Sequence, residues 1–307
     1  MTIEQSTDAV LMIRPARFYP NPETAADNAF QKAIAAGEMP AVSAAARAEF
    51  DAAVQALRDA GVTVHVIEDT STPEKPDAVF PNNWMSTHHD GRVALYPMYS
   101  EVRRRERRPD VVDALRKSYR VTDVIDYSAC ENEGRCLEGT GSLVLDHVNK
   151  IAYASLSHRT HPGVLKQFCD DHRYEPVTFR SESADGRPIY HTNVMMCVGS
   201  EFALLGAETI PDEAERVGVQ NLLESSGKEV IELSAQQIAE FAGNAIELHN
   251  ADGKLLVLSA RAAAALSNEQ RETIERYTRL LPLPLPTIEL AGGSARCMIA
   301  TVHLPGL

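Results

Sequence analysis

Four short segments carry residue types that could do chemistry together. Cys297 sits in Gly292-Gly293-Ser294-Ala295-Arg296-Cys297-Met298. Two glycines and a serine let the backbone turn tightly and expose N–H groups, and Arg296 puts a positive charge next door. Such surroundings favour a thiolate. A cysteine here also reads as a buried apolar filler. Even so, none of Cys130, Cys136, Cys169 or Cys197 has glycines or cations so arranged, and Cys297 is the candidate nucleophile. His191 opens an apolar run that reads as a strand over residues 191–198. In a strand His191 and Asn193 project from one face, pairing a proton carrier with an amide. Glu138 precedes Gly139-Thr140-Gly141 and an apolar stretch. It is a carboxylate that can face a central pocket or simply close a turn. Asp77, Asn82 and Asn83 surround Phe80 just ahead of Trp84. Buried amides need partners, so Asn82 and Asn83 either hold a neutral polar group or form a turn.

The elements that must position these residues recur as a loose unit of two apolar strands joined by a polar turn, then a helical stretch. Strands are expected at 10–13 and 62–67, with a helix over 40–61 between them. Its stripe is Phe50, Val54 and Leu57, and Gly61 stops it. A hairpin is expected from 80–87 to 92–96, turning at Asp90-Gly91. A helix over 101–119 and a strand over 121–125 follow. The pattern returns as 142–145 with 151–154 and a helix over 161–172, then as 191–198 with 202–206 and a helix over 212–225. A strand over 229–233 and a short helix through Phe241 come next. The last hairpin is 245–248 with 254–258, followed by a helix over 268–280 that Ser267 and Gln270 can cap. A strand over 296–303 ends the chain, and the alternating Leu-Pro run 281–286 reads as its stiff lead-in or as a polyproline ligand. Antiparallel pairs alternating with crossovers suggest small mixed sheets around a common axis, with helices outside.

Composition narrows the function classes. The chain has 307 residues, 44% of them hydrophobic, and a formal net charge of −13. That charge argues against a nucleic-acid backbone binder. The run Arg103-Arg104-Arg105-Glu106-Arg107-Arg108 is a solvated face or a loop reaching an anionic substrate group. No stretch is apolar for long enough to span a bilayer. The N-terminus lacks a secretory pattern, five cysteines form no CxxC motif, and no zinc spacing appears among the ten histidines. The expectation is a cytoplasmic protein with no cofactor, no metal, no membrane and no nucleic-acid partner. Its oligomeric state stays open, a homo-oligomer included.

The conjunction of these segments resembles the guanidine-modifying superfamily of arginine deiminases, dimethylarginine hydrolases and amidinotransferases, and within it the citrulline utilization hydrolases. The matching stretches are VLMIRP, DAVFPNNWMSTH, GRVALYPMYSEVRRRERR, LEGTGSLVLD, YHTNVMMCVG and GGSARCM. The resemblance implies an α/β fold, a five-bladed propeller (pentein) of ββαβ units about a pseudo-fivefold axis, with residues 1–307 as a single catalytic domain. It also implies Cys297 as nucleophile, His191 as general acid/base and Glu138 as the acidic partner. Asp77, Asn82, Asn83 and Asn193 then fall on substrate-binding positions, and Arg14, Arg104, Arg105 and Arg135 are candidates for a carboxylate clamp. Where the deiminases carry aspartates, this chain has Asn83 and Asn193. A neutral ureido group can use an amide as donor and acceptor, whereas a guanidinium wants carboxylates. The resemblance so read implies hydrolysis of citrulline to ornithine, carbon dioxide and ammonia through a Cys-thiocarbamate. The alternatives are an arginine deiminase or dimethylarginine hydrolase releasing citrulline, an amidinotransferase, and a non-catalytic interaction protein on the same fold.

Overall fold

The computed structural model describes residues 3–307. Its strands form five three-stranded sheets built to one plan. β1 (Ala9–Arg14) pairs in parallel with β2 (Thr63–Glu68) across the helix Met39–Asp59. The next unit is β3 (Met85–Thr87), β4 (Arg92–Leu95) and β5 (Asp123–Asp126). Then come β6 (Val144–Asp146), β7 (Ile151–Ser155) and β8 (Glu175–Phe179), followed by β9 (Met196–Val198), β10 (Phe202–Leu205) and β11 (Glu229–Glu232). The last full unit is β12 (Ile246–Asn250), β13 (Gly253–Ser259) and β14 (Arg279–Leu283). In each, a first strand pairs antiparallel with the middle one, and the middle one pairs in parallel with the third. The final strand, β15 (Ala300–Thr301), completes the first sheet: Val10 lies opposite Thr301 and Leu11 opposite Ala300. The two ends of the chain therefore close a ring of five units, the pentein-type α/β arrangement expected.

Sequence explains the layers. Middle strands are covered on both faces, so they read as continuous apolar runs; Phe202-Ala203-Leu204-Leu205 is wholly buried. The outer helices are one-sided. Met39–Asp59 buries Ala46, Phe50, Ala53, Val54 and Leu57, a helical stripe. Truncating the fully buried Phe50 to alanine is worth about 3–5 kcal/mol by the usual cost of such a cavity.

Several expected elements differ in extent. The helix expected over 101–119 is two pieces, Glu101–Arg104 and Pro109–Arg116. Pro109 lacks an N–H and steers Arg108 out of helical space. The helix expected over 268–280 ends at Glu275, and Arg279–Leu283 is β14. Part of the Leu-Pro run is thus an edge strand that tolerates Pro282. β8 was not anticipated.

The largest departure lies where it matters most. The residues just ahead of the short first strands are turns, not strand. Pro81–Asn83, Thr192–Val194 and Ala295–Met298 are 3-10 turns, and Gly139–Ser142 is a single helical turn. In the remaining unit, a turn with Phe241 at φ 62° leads into Asn244 and β12. The strands expected over 191–198 and 296–303 shrink to Met196–Val198 and Ala300–Thr301 for this reason. No helix is long and apolar enough to cross a membrane among the described residues.

Candidate active site

The five turns converge on the ring axis, and two glycines make the approach possible. A Cβ on Gly139 would lie 2.3 Å from the Asn82 carbonyl oxygen, and its φ of +47° disfavours any side chain. A Cβ on Gly141 would lie 2.4 Å from Asn83 Nδ2 and 2.7 Å from His191 Nδ1. The Gly-Thr-Gly segment after Glu138 is thus a spacer that lets neighbouring turns nearly touch.

Cys297 is 2% exposed. Its Sγ accepts from two side-chain amides, Asn244 Nδ2 at 3.3 Å and Asn193 Nδ2 at 3.5 Å. Asn244 is itself fixed, because Nδ2 also donates to the Asn193 carbonyl and Oδ1 accepts from the Arg296 N–H at 3.0 Å. Two neutral donors aimed at sulfur stabilise a thiolate without adding a charge to the pocket. Arg296 turns away from the thiol and donates to the Ile299 carbonyl. Its guanidinium pKa is pushed down to about 10 by burial, against the opposing effect of Cys297 and Cys197.

His191 and Cys297 line the same small pocket. His191 Nε2 is 2.8 Å from Glu138 Oε2, with both side chains buried. Burial pushes the His191 imidazole down to about 4, and Glu138 only partly offsets this. Burial also works to raise the Glu138 carboxyl, but Arg159, the His191 hydrogen bond and Arg103 outweigh it and hold the group well below the usual carboxylate range. Near neutral pH the pair is a carboxylate beside a neutral imidazole. The carboxylate orients the ring and would stabilise an imidazolium formed during reaction.

Glu138 in turn lies between two buried arginines. Arg103 Nη1 is 3.8 Å and Arg159 Nη1 3.6 Å from Glu138 Oε2. Arg103 is fully committed: it forks onto Glu106 at 2.9 Å twice and donates to Asn83 Oδ1 and the Phe80 carbonyl. Burial drives Glu106 up to about 7 even with Arg103 lowering it. Asp77, also raised by burial, accepts from Asn21 and lies 3.6 Å from Arg103 Nε.

The structure brings Cys297, His191, Glu138, Asp77, Asn83 and Asn193 together around one site. It separates the arginines expected to clamp a carboxylate. Arg14 forks onto Asp51 at the surface, 2.7 and 2.8 Å away, because its strand end projects toward the outer helix. Arg104 donates to the Met98 carbonyl, Arg105 is exposed, and Arg135 pairs with Glu133. None of the four lines the pocket; Arg103 and Arg159 do. Asn82 is buried without a hydrogen-bond partner on either amide atom and does not line the pocket. Asn83 lines the pocket, and with Oδ1 taken by Arg103 its buried Nδ2 has no partner.

Comparisons with known proteins agree with the fold. Residues 14–304 match the family model described as "N,N dimethylarginine dimethylhydrolase, eukaryotic". The chain belongs to this family of hydrolases. Comparison with curated protein sequences gives no match. Among solved structures, the chain is similar to the N-terminal domain of ArgZ, a substrate-bound point mutant of an arginine dihydrolase from the ornithine-ammonia cycle in cyanobacteria. The TM-score is 0.76 at 17% identity, covering 97% of this chain and 98% of that one. It is also similar to AgrE in a ternary complex with ornithine and NAD+, with TM-score 0.76, 16% identity, and coverage of 99% of this chain but 40% of that one. A third is a dimethylarginine dimethylaminohydrolase mutant as its adduct with S-methyl-L-thiocitrulline, with TM-score 0.65, 16% identity, and coverage of 95% and 98%.

Proposed function

We propose that this protein hydrolyses the ureido C–N bond of citrulline, releasing ornithine, carbon dioxide and ammonia. The observation that carries the reading is Asn83 Nδ2, a buried N–H donor without a partner on the pocket wall. A ureido oxygen can accept that bond. A guanidinium has only N–H groups to offer and would leave it unmet.

In this reading Cys297 passes its proton to the neutral His191, and the thiolate attacks the ureido carbon. Asn193 and Asn244 steady the sulfur, and Asn83 orients the carbonyl oxygen. His191 then protonates the departing δ-nitrogen, and ornithine leaves. Water attacks the remaining thiocarbamate and gives its proton back through His191 to Cys297. Carbamate is released and breaks down to carbon dioxide and ammonia. Glu138 stays ionised and orients the ring throughout. Arg159 takes the α-carboxylate of the amino acid, a role suited to its bidentate edge. No cofactor or metal enters any step. Residues 1–307 act as one catalytic unit, since the turn bearing Cys297 is held by the sheet that both chain ends share. The setting is a cytoplasmic one, with a free amino acid as partner.

A guanidino substrate is the second reading. The family description names dimethylarginine, and the ArgZ relatives are described as an arginine dihydrolase. Comparing kcat/KM for citrulline, arginine and dimethylarginine, with the products identified, separates the two. Ornithine from citrulline at the highest kcat/KM supports the first. A clear preference for either guanidino compound supports the second.

A further inference from the structure

Arg159 is 2% exposed, and both edges of its guanidinium are occupied. Nη1 faces Glu138 at 3.6 Å. On the other edge, Nε donates to Asp27 Oδ2 at 2.8 Å and Nη2 to Asp27 Oδ1 at 2.6 Å. One guanidinium face lies over the Tyr190 ring, 4.6 Å from its centroid. The fork that a ligand carboxylate would use is therefore already filled by a carboxylate of the chain itself.

Asp27 does not belong to the five turns. It sits in the segment between β1 and the helix Met39–Asp59, which lines the pocket through Thr24 and Asn28. The bonds that tie that segment down include Asn21 Nδ2 to Asp77 and Ser100, Ser100 Oγ to Glu23, Asn28 Nδ2 to the Ala291 carbonyl, and the Lys32 N–H to the Leu290 carbonyl. The Asp27 side chain is 16% exposed against 2% for Arg159, so of the two partners Asp27 is the one that can turn into water.

We propose that Asp27 is an internal stand-in for the ligand carboxylate at Arg159, so that an amino acid gains this arginine only by displacing Asp27. The idea rests on the reading that Arg159 binds the α-carboxylate. The exchange is electrostatically balanced. Arg159 keeps one bidentate carboxylate before and after, so no buried charge is left unpaired, and the displaced Asp27 turns to nearby water. The cost falls on ligands selectively. A carboxylate-bearing ligand trades one fork for another and gains little net affinity from it. A ligand without a carboxylate leaves the Asp27–Arg159 pair in place and meets no competitor. Asp27 thereby sets affinity for amino acids and takes no part in the chemistry at Cys297.

The test is calorimetric binding to the Cys297→Ser protein with and without Asp27→Asn. Two ligand pairs are used: citrulline with its decarboxylated analogue, and arginine with its decarboxylated analogue. Asp27→Asn is expected to lower Kd for the amino acid that binds by about tenfold, as for loss of a competing charge-assisted fork. The decarboxylated partner should stay within about twofold. Asp27→Glu should keep wild-type values. An unchanged or raised amino-acid Kd overturns the proposal, and so does equal tightening of both members of a pair. Weakening of both with a lowered Tm identifies Asp27 as a structural latch instead. If only the arginine pair binds, the citrulline reading fails while the Asp27 proposal is still decided by that pair. If neither pair binds any of the proteins, Arg159 is not an amino-acid site and the proposal falls.

Discussion

Asn244 Nδ2 lies 3.3 Å from Cys297 Sγ, and through Oδ1 the same side chain anchors the backbone N–H of Arg296. One amide thus fixes both the sulfur and the turn that carries it. A hydrogen bond to a charged group contributes about 1.5–3 kcal/mol. Asn244→Ala should therefore lower kcat by about ten- to a hundredfold with the fold retained. Alkylation at neutral pH reads the cause directly, since a sulfur without this amide donor should react more slowly. An unchanged alkylation rate would leave Asn244 with a purely structural role.

Asn244 also shows what was legible in the sequence and what was not. Cys297, His191 and Glu138 each announce themselves by glycines, a strand boundary or a turn, and they do meet. Asn244 carries the same signature, a glycine followed by an amide just ahead of an apolar strand. It went unread because the units are alike in plan and unlike in sequence. Asn193, Asn244 and Cys297 each lie two or three residues ahead of β9, β12 and β15. The arginines were illegible for another reason. Arg103 is one of five arginines in a run of six residues, and only the break before Pro109 and the short turn Glu101–Arg104 aim it inward. Arg159 sits in a polar loop whose burial depends on a segment more than a hundred residues away in sequence. Extended pairing over 191–198 follows from the apolar run alone, which cannot see that Gly141 allows the neighbouring turns to close up.

Replacing Glu138 by Gln should remove the charge that supports an imidazolium at His191 while keeping the shape of the side chain. The expected result is a loss in kcat of at least about a hundredfold, with KM changed much less. It would also weaken the hold on Arg159 and Arg103, so a melting curve must accompany the kinetics. A kcat within a few-fold of wild type would remove Glu138 from the reaction.

Gly141→Ala tests the close approach of the turns. The added methyl would meet Asn83 Nδ2 and His191 Nδ1 well inside contact distance. Both groups must shift, and a displacement of about 1 Å at reacting groups can cost about a hundredfold in rate. The expected variant is folded, with thermal unfolding near that of the wild type, and nearly inactive. Full activity would mean that these groups need not be held as tightly as the structure holds them.

The pH dependence has two separable parts. His191 is held neutral down to about pH 4 by burial, so the acid limb of kcat/KM that it controls should lie near 4, not near 6.5. Stability should fail earlier. His88, His147 and His303 are buried, with burial pushing each well below the ordinary imidazole value, and the His147 and His303 rings lie tilted with their centroids 4.2 Å apart. Their folded values are depressed, so their contribution is full above about 6.5 and is lost as pH falls, because the unfolded chain takes up protons that the folded one refuses. The loss should be measurable between about pH 7.5 and about pH 5.5. Denaturant melts at the two pH values should show that loss. Equal stability at both would mean that these rings protonate within the folded protein.

The central claim is that Cys297 carries the carbonyl carbon of citrulline during turnover. Acid-quenching the enzyme while it turns over citrulline, followed by peptide mass mapping, tests this most directly. A carbamoyl group is expected on Cys297, absent from the Cys297→Ser protein and from enzyme without substrate. Turnover of citrulline with Cys297 unmodified, or with the carbamoyl group on another residue, would contradict it.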